Sequence, residues 1–153
     1  MPDPYGGGSG SEKKGAWKIP VGGGEPVRIN IAGGTPKQSP DGRYFYLERG
    51  WPDDFSIWRV PVEGGEPVRV AESLSPATAW YVVDHGIYYT GRPEEDGHSR
   101  IYFKNADTGE LRTIAVLQAK SGWGLTVSPD RQTLLFTQSD SSGSDLRLVE
   151  NFR

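Results

Sequence analysis

The densest group of possible ligands and proton carriers in the chain is Glu94, Glu95, Asp96 and His98, in the segment RPEEDGHSR. Carboxylates beside an imidazole are the raw material of a metal site. The spacing does not fit one well. It lacks the alternating oxygen ligands of an EF-hand-type loop, and the chain's two histidines cannot build a zinc site by themselves. A weak calcium or pore-cation site made of Asp side chains stays open beside the plainer reading of a flexible loop. Ser11-Glu12-Lys13-Lys14 matches S-x-x-K, but it stands in a Gly/Ser-rich stretch where nothing fixes the Ser against the Lys. Gly22-Gly23-Gly24 and Gly33-Gly34 lack the G-x-x-x-x-G-K-[ST] pattern and a following helix, so they read as turns and not as phosphate cradles. His85 reads as a turn residue. The chain has no cysteine, which removes disulfides, thiolate metal sites and cysteine nucleophiles together. The expectation is a protein without catalytic residues, bound metal or cofactor.

A second pattern suits binding better. Trp51 lies in ERGWPDD with Glu48, Arg49, Asp53 and Asp54, and Arg92 precedes the acidic cluster. Trp123 has Asp140 and Asp145 downstream. Tryptophan set among mixed charge is the composition of a protein-binding hot spot. The same residues also suit a solvated acidic rim whose tryptophans pack inward. They are far apart in sequence, so only a repeating scaffold could gather them.

That scaffold is written in the sequence. Residues 17–29 read WKIPVGGGEPVRI and residues 58–70 read WRVPVEGGEPVRV, one phrase repeated 41 positions on. A weaker third copy has Ile101-Tyr102-Phe103, a turn at Asp107-Thr108-Gly109-Glu110, then Leu111-Arg112-Thr113-Ile114, with Gly109 standing 44 after Gly65. A fourth begins at Leu146-Arg147-Leu148-Val149. A second anchor, Ser39-Pro40-Asp41-Gly42-Arg43 before Tyr44-Phe45-Tyr46-Leu47, returns 89 positions later as Ser128-Pro129-Asp130-Arg131-Gln132 before Thr133-Leu134-Leu135-Phe136. Pro presets φ, Asp caps the turn and Gly accepts positive φ, so each anchor is a turn leading into a strand. Val83-Asp84-His85-Gly86 before Ile87-Tyr88-Tyr89-Thr90 fills the middle register.

A period of about 40–45 residues carrying four antiparallel strands is one β-propeller blade. The fold class is therefore all-β, a partial β-propeller of four-stranded antiparallel blades. Residues 1–14 form a flexible Gly/Ser leader. Blades follow at 15–32 (partial), 33–73, 74–119 and 120–153 (partial). That is about three to three and a half blades, fewer than the about four to eight of a closed ring. Either the chain is a fragment of a larger protein, or copies associate to complete the ring. Pro26 and Pro67 open the last strand of their units, and a residue without a donor belongs on an edge. Arg28, Arg69 and Arg112 recur at one register and are expected to form outward salt bridges there. Loops between blades share a rim with the loops between second and third strands. The candidate interaction rim is thus Glu48, Arg49, Trp51, Asp53, Asp54, Arg92, Glu94, Glu95, Asp96, His98 and Trp123.

Composition agrees with this architecture. Twenty-one Gly and 12 Pro beside five Trp and seven Tyr suit short strands joined by tight turns. The net charge of -3 with scattered basic residues gives no basic face for nucleic acid. No apolar run reaches the roughly 18–20 residues of a membrane span, and the N-terminus carries no signal-peptide h-region.

The phrases SPDGRYFYLERG, IWRVPVEGGEPVRV, HGIYYTGR and SDLRLVENFR resemble the WD40-like, TolB-type propeller repeat over residues 15–153. The closing SDLRLVENFR resembles the end of soil-bacterial proteins that join a winged-helix DNA-binding domain to such a propeller. That resemblance implies a non-catalytic module for protein interaction or ligand sensing. It also tilts the compartment toward extracytoplasmic, which the residues themselves leave unknown. Its partner would be another protein, or a second copy completing the ring. The sequence departs from the pattern at the Gly/Ser leader and at Asn105-Ala106-Asp107. The repeat also resembles the propeller that gates prolyl-oligopeptidase-like hydrolases. No G-x-S-x-G occurs here, so in that reading the chain is an accessory propeller without its catalytic domain.

Overall fold

The computed structural model describes residues 15–29, 34–50, 55–72, 74 and 79–139. These residues form twelve strands and no helix, so none of them crosses a membrane as a helix. The strands make four antiparallel sheets in chain order. The first pairs β1 (Trp17–Lys18) with β2 (Val27–Arg28). The second is a four-stranded meander of β3 (Lys37–Gln38), β4 (Tyr44–Arg49), β5 (Ser56–Pro61) and β6 (Val68–Ala71). The third repeats it with β7 (Trp80–Val83), β8 (Gly86–Thr90), β9 (Arg100–Asn105) and β10 (Leu111–Val116). The fourth pairs β11 (Lys120–Val127) with β12 (Leu134–Ser139). The all-β, partial-propeller architecture read from the repeat is the one observed.

The doubled phrase takes equivalent places in its two copies. Trp17 pairs with Arg28 and Trp58 with Arg69, each across a Gly turn. Gly64 and Gly65 adopt φ of 100° and 142°, a region closed to residues with a Cβ, so this turn needs glycine. Pro26 and Pro67 directly precede β2 and β6, the edge strands of their sheets, where the missing donor costs nothing. The Asp41 turn is built as its chemistry requires. The Ser39 hydroxyl donates to Asp41 Oδ1 at 2.6 Å, and the Arg43 backbone N–H donates to the same oxygen at 3.0 Å. Those bonds, the Ser39 one foremost, hold the Asp41 carboxyl well below the usual carboxylate range. The matching turn at Ser128 puts Arg131 where Gly42 stands, at φ 60° against 75°.

The strands are apolar on both faces because each central sheet is covered on both sides. Tyr46, Phe55 and Ile57 of the second sheet pack with Trp80, Val82, Ile87 and Tyr89 of the third, closed by Val70, Ala71 and Leu74. On the other face, Leu47 and Val60 pack with Ala16 and Ile29 of the first sheet, flanked by Phe45 and Trp58. Polar bonds stitch the same joints. Lys18 Nζ donates to the Val62 carbonyl at 2.7 Å. Its repeat equivalent Arg59 reaches Asp107 of the third sheet at 2.8 Å. The Arg112 and Arg69 expectation changes here. Both have nearby carboxylates, Glu110 at 3.8 Å and Glu72 at 3.1 Å. But each also lies over the aromatic ring opposite it in register, Arg112 over Phe103 at 5.1 Å and Arg69 over Trp58 at 5.9 Å. Cation–π contact across the strand pair joins salt bridging as their role.

Because Ile57 is fully buried at the joint between the second and third sheets, Ile57→Ala is expected to lower unfolding free energy by about 2–5 kcal/mol. Val68→Ala, on the exposed outer strand, should stay within about 0.5 kcal/mol of the parent. Urea titration followed by circular dichroism reads both; equal losses would contradict this placement of the core.

Candidate interaction rim

A four-stranded meander places the loop between its second and third strands at the same end as the links to neighbouring sheets. The structure shows that meeting directly. Leu74, in the link between the second and third sheets, bridges to Gly91 at the start of the β8–β9 loop, and its N–H donates to the Phe55 carbonyl. Arg92 Nε donates to the Leu74 carbonyl at 2.8 Å, fastening that loop to the link.

The loop beyond Arg92 is ordered by a residue that the sequence reading passed over. Arg100 opens β9 and points its guanidinium back across the turn. Its Nη1 lies 2.9 Å from Glu94 Oε2 and its Nη2 2.5 Å from Asp96 Oδ2. Nη1 also donates to the His98 carbonyl at 3.2 Å. Two positions on, and therefore on the same face of the strand, Tyr102 donates its hydroxyl to Glu94 Oε1. The backbone closes the turn through Glu94 N–H to the His98 carbonyl at 3.1 Å and His98 N–H to Asp96 Oδ1 at 2.9 Å. The arrangement shifts both ends of the ladder. Hydrogen bonding by Arg100, aided by the His98 N–H, draws the Asp96 carboxyl down to about 2. Burial, reinforced by the Glu94 hydrogen bond, pushes the Tyr102 phenol up to about 12.

This corrects the expectation of a flexible loop. The Arg100 guanidinium holds both carboxylates and offsets one of their two charges, so the cluster is a closed ion-pair network. Among the described residues no group of three or more potential ligands is placed to hold a metal ion. Glu95 is exposed, and His98 is half-buried with its Nδ1 3.0 Å from the Asp96 carbonyl oxygen.

The other expected rim residues have separate places. Glu48, at the inner edge of the joint, accepts a 2.7 Å hydrogen bond from the Trp80 indole N–H. Lys37 Nζ sits 3.9 Å above the same ring and donates to the Trp80 carbonyl at 2.7 Å. Burial lowers the Lys37 pKa and the Glu48 charge opposes that shift. Glu48 thus serves as a fastening between sheets. Arg49 lies over the Trp58 ring at 4.7 Å, the ring that Arg69 also approaches. Trp123 is not on a connecting loop. It lies within β11, in the stretch where the register with β12 shifts, and is 73% exposed. Trp51, Asp53 and Asp54, with Asp140 and Asp145, lie outside the described residues.

The opposite end of the sheets carries a polar network of its own. Asp107 joins Arg59 at 2.8 Å and His85 Nδ1 at 3.6 Å, and the Arg59 hydrogen bond holds the Asp107 carboxyl below its ordinary value. Arg131 meets Asp84 at 2.5 Å. The Arg59 and Arg131 pairs each tie one sheet to the next, and the His85 pair joins two turns of the third sheet, a structural use of turn residues. Among the described residues, clefts lie between sheets. One of about 630 Å³ is lined by Trp17, Ile19, Val27, Pro36 and Phe45, and one of about 470 Å³ by Arg69, Tyr89, Lys104 and Leu111. None of the expected rim residues lines either. No protein-family model matches the chain, and no curated protein matches it.

The ion-pair network makes a pH prediction. Asp96 has a folded pKa near 2 against an unfolded value of about 3.9. Its contribution to loop stability is therefore present above about pH 4 and lost as pH falls through about 2. Arg100→Ala should return the Asp96 carboxyl toward about 3.9 and raise amide exchange over residues 94–98. Carboxyl-carbon NMR titration with hydrogen exchange measures both. An unmoved Asp96 titration would show that Arg100 does not organise the loop.

Proposed function

We propose that this chain is a non-catalytic β-propeller module that recognises a protein partner or a ligand through the rim where its β8–β9 loop and inter-sheet links meet. In this reading it serves as part of a larger protein or as one portion of a ring of blades. The observation that carries the proposal is the Arg100 clamp on Glu94 and Asp96. A rim loop held in one shape by the half-buried Arg100 and Tyr102 loses little entropy on binding, which is what a recognition surface needs. The exposed Glu95 and half-buried His98 add polar contacts, and Trp123, exposed on β11 and not on the connecting loops, is a further large aromatic anchor. Trp is the residue type most enriched at binding hot spots. The resemblance of SPDGRYFYLERG and IWRVPVEGGEPVRV to TolB-type repeats supports the same role, with any DNA-binding or catalytic half carried elsewhere.

The clamp also argues against a catalytic use of this cluster. Both Glu94 and Asp96 are committed to a guanidinium, and Tyr102 is held protonated, so no free base stands beside a nucleophile.

Affinity capture by the immobilised chain, compared with Trp123→Ala and Glu95→Arg, tests the reading. Truncating a hot-spot tryptophan costs about 2 kcal/mol or more, roughly a 30-fold rise in Kd. The melting temperature should not move, since both side chains are exposed. Unchanged capture by both variants would remove the rim from consideration. Covalent labelling by a fluorophosphonate probe would overturn the non-catalytic assignment.

A further inference from the structure

The joint between the second and third sheets is sealed around Tyr46, Ile57 and Ile87. Along the outer strands it opens into the cleft of about 470 Å³, whose walls include Val70 and Ala71 on one side and Lys104 and Leu111 on the other. Both walls belong to four-stranded sheets. Small-molecule pockets run from about 300 to 1,000 Å³, so the cleft has the size of one.

Tyr89 lines this cleft and is only 6% exposed. Its ring packs on Tyr102 at 5.5 Å. Among the described residues, however, its hydroxyl makes no hydrogen bond. A buried phenol ordinarily has a partner, and one without it is a group that a ligand can satisfy. Burial, with the Glu72 charge behind it, raises the Tyr89 pKa, so the hydroxyl keeps its proton and is able to donate.

Lys104 supplies charge. Tyr102, two positions before it, packs against the core of the joint, so Lys104 faces the joint as well. Gly109 stands 44 after Gly65, and the same offset sets Lys104 in the place of Val60, which is fully buried in the preceding joint. An ammonium thus occupies a repeat position that an apolar side chain closes elsewhere. Its Nζ donates to the Gly109 carbonyl at 2.7 Å, which fixes the side chain and leaves further N–H donors for a ligand. Arg69 and Glu72, also in the lining, pair with each other at 3.1 Å. Among the described residues no carboxylate offsets Lys104 in the same way. Tyr89 pairs with Tyr102 across β8 and β9, so Tyr89 and Lys104 are diagonal neighbours on one face, about 7–8 Å apart. One carboxylate group is able to bridge two side chains over that span.

We propose that this cleft binds a small monocarboxylate, whose carboxylate accepts from the Lys104 ammonium and the Tyr89 hydroxyl while its apolar body lies on Val70, Ala71 and Leu111. Leu111 is 51% exposed, and covering it removes apolar surface from water. None of the candidate rim residues lines the cleft, so acid binding and rim recognition stand or fall separately.

Amide NMR of the isotope-labelled full chain, titrated with hexanoate and phenylacetate and then with their neutral amides, tests the site. The acids should shift Ala71, Lys104 and Leu111 saturably, and the amides should bind about tenfold more weakly or worse, the cost of a lost charged hydrogen bond. Tyr89→Phe removes only an unbonded oxygen, so its melting temperature should hold while the Kd for the acids rises about tenfold. Lys104→Met should erase the preference for acid over amide. Should that variant fail to fold, Leu111→Glu decides instead: it sets a carboxylate in the cleft from a half-exposed edge strand and should weaken the acids far more than the amides. No saturable shift with either acid, equal affinity for acid and amide, or shifts confined to residues 94–98 would overturn the proposal. So would an unchanged Kd in Tyr89→Phe, or undiminished acid binding by Leu111→Glu.

Discussion

Burial on both faces of every central strand is the constraint from which the rest of this structure follows. A four-stranded sheet with Tyr46 and Ile57 on one face and Leu47 and Val60 on the other cannot exist alone in water. Each sheet is stable only between neighbours, and each apolar face removed from water contributes on the order of 25 cal/mol per Å². The row is therefore cooperative by stacking, as in other repeat architectures, where each unit touches only the next. That explains why polar contacts concentrate at the joints. Lys18 to Val62, Arg59 to Asp107, Glu48 to Trp80 and Arg131 to Asp84 all run from one sheet to its neighbour. They orient faces whose apolar packing supplies most of the free energy.

The two ends of the sheets divide labour. At the end bearing the short turns, Asp41, Asp84 and Asp107 are consumed by caps and inter-sheet pairs. At the other end the connections are longer, and the β8–β9 loop has room to fold on itself around Arg100. Exposed ion pairs of this kind are individually weak. Here one guanidinium joins two carboxylates and a backbone carbonyl, so geometry and not raw energy is what the cluster provides. The shape of this loop is set by contacts within the chain itself.

The legible and illegible parts of the fold differ for physical reasons. Gly64-Gly65 and the Ser-Pro-Asp anchors were visible because turn geometry selects residue types locally. The strands after them, such as Tyr44–Arg49 and Gly86–Thr90, were visible through aromatic and β-branched content. Two of the innermost strands carried no such mark. Lys37–Gln38 is polar, and Lys120–Val127 contains Gly122 and Gly124, both pressed against Thr137. Glu48 was read as rim because a carboxylate in a strand gives no hint of an indole waiting in another sheet. Arg100 was overlooked because its role needs the turn to bring Glu94 and Asp96 back over it.

The sequence by itself determined the class of the fold, the repeat length and the place of most strands, since backbone preference and side-chain alternation are short-range properties. It also determined that turns would be built from Gly, Pro and Asp, whose conformational limits act within a few residues. Tertiary structure alone decided which carboxylates are free and which are spent. That depends on distances between residues such as Arg59 and Asp107, 48 positions apart, or Trp80 and Glu48, 32 apart. It decided likewise that equivalent repeat positions, Val60 and Ile19 or Tyr46 and Leu135, are sealed in one place and open in another. Burial belongs to the neighbour as much as to the residue, and no single phrase of the repeat can encode it.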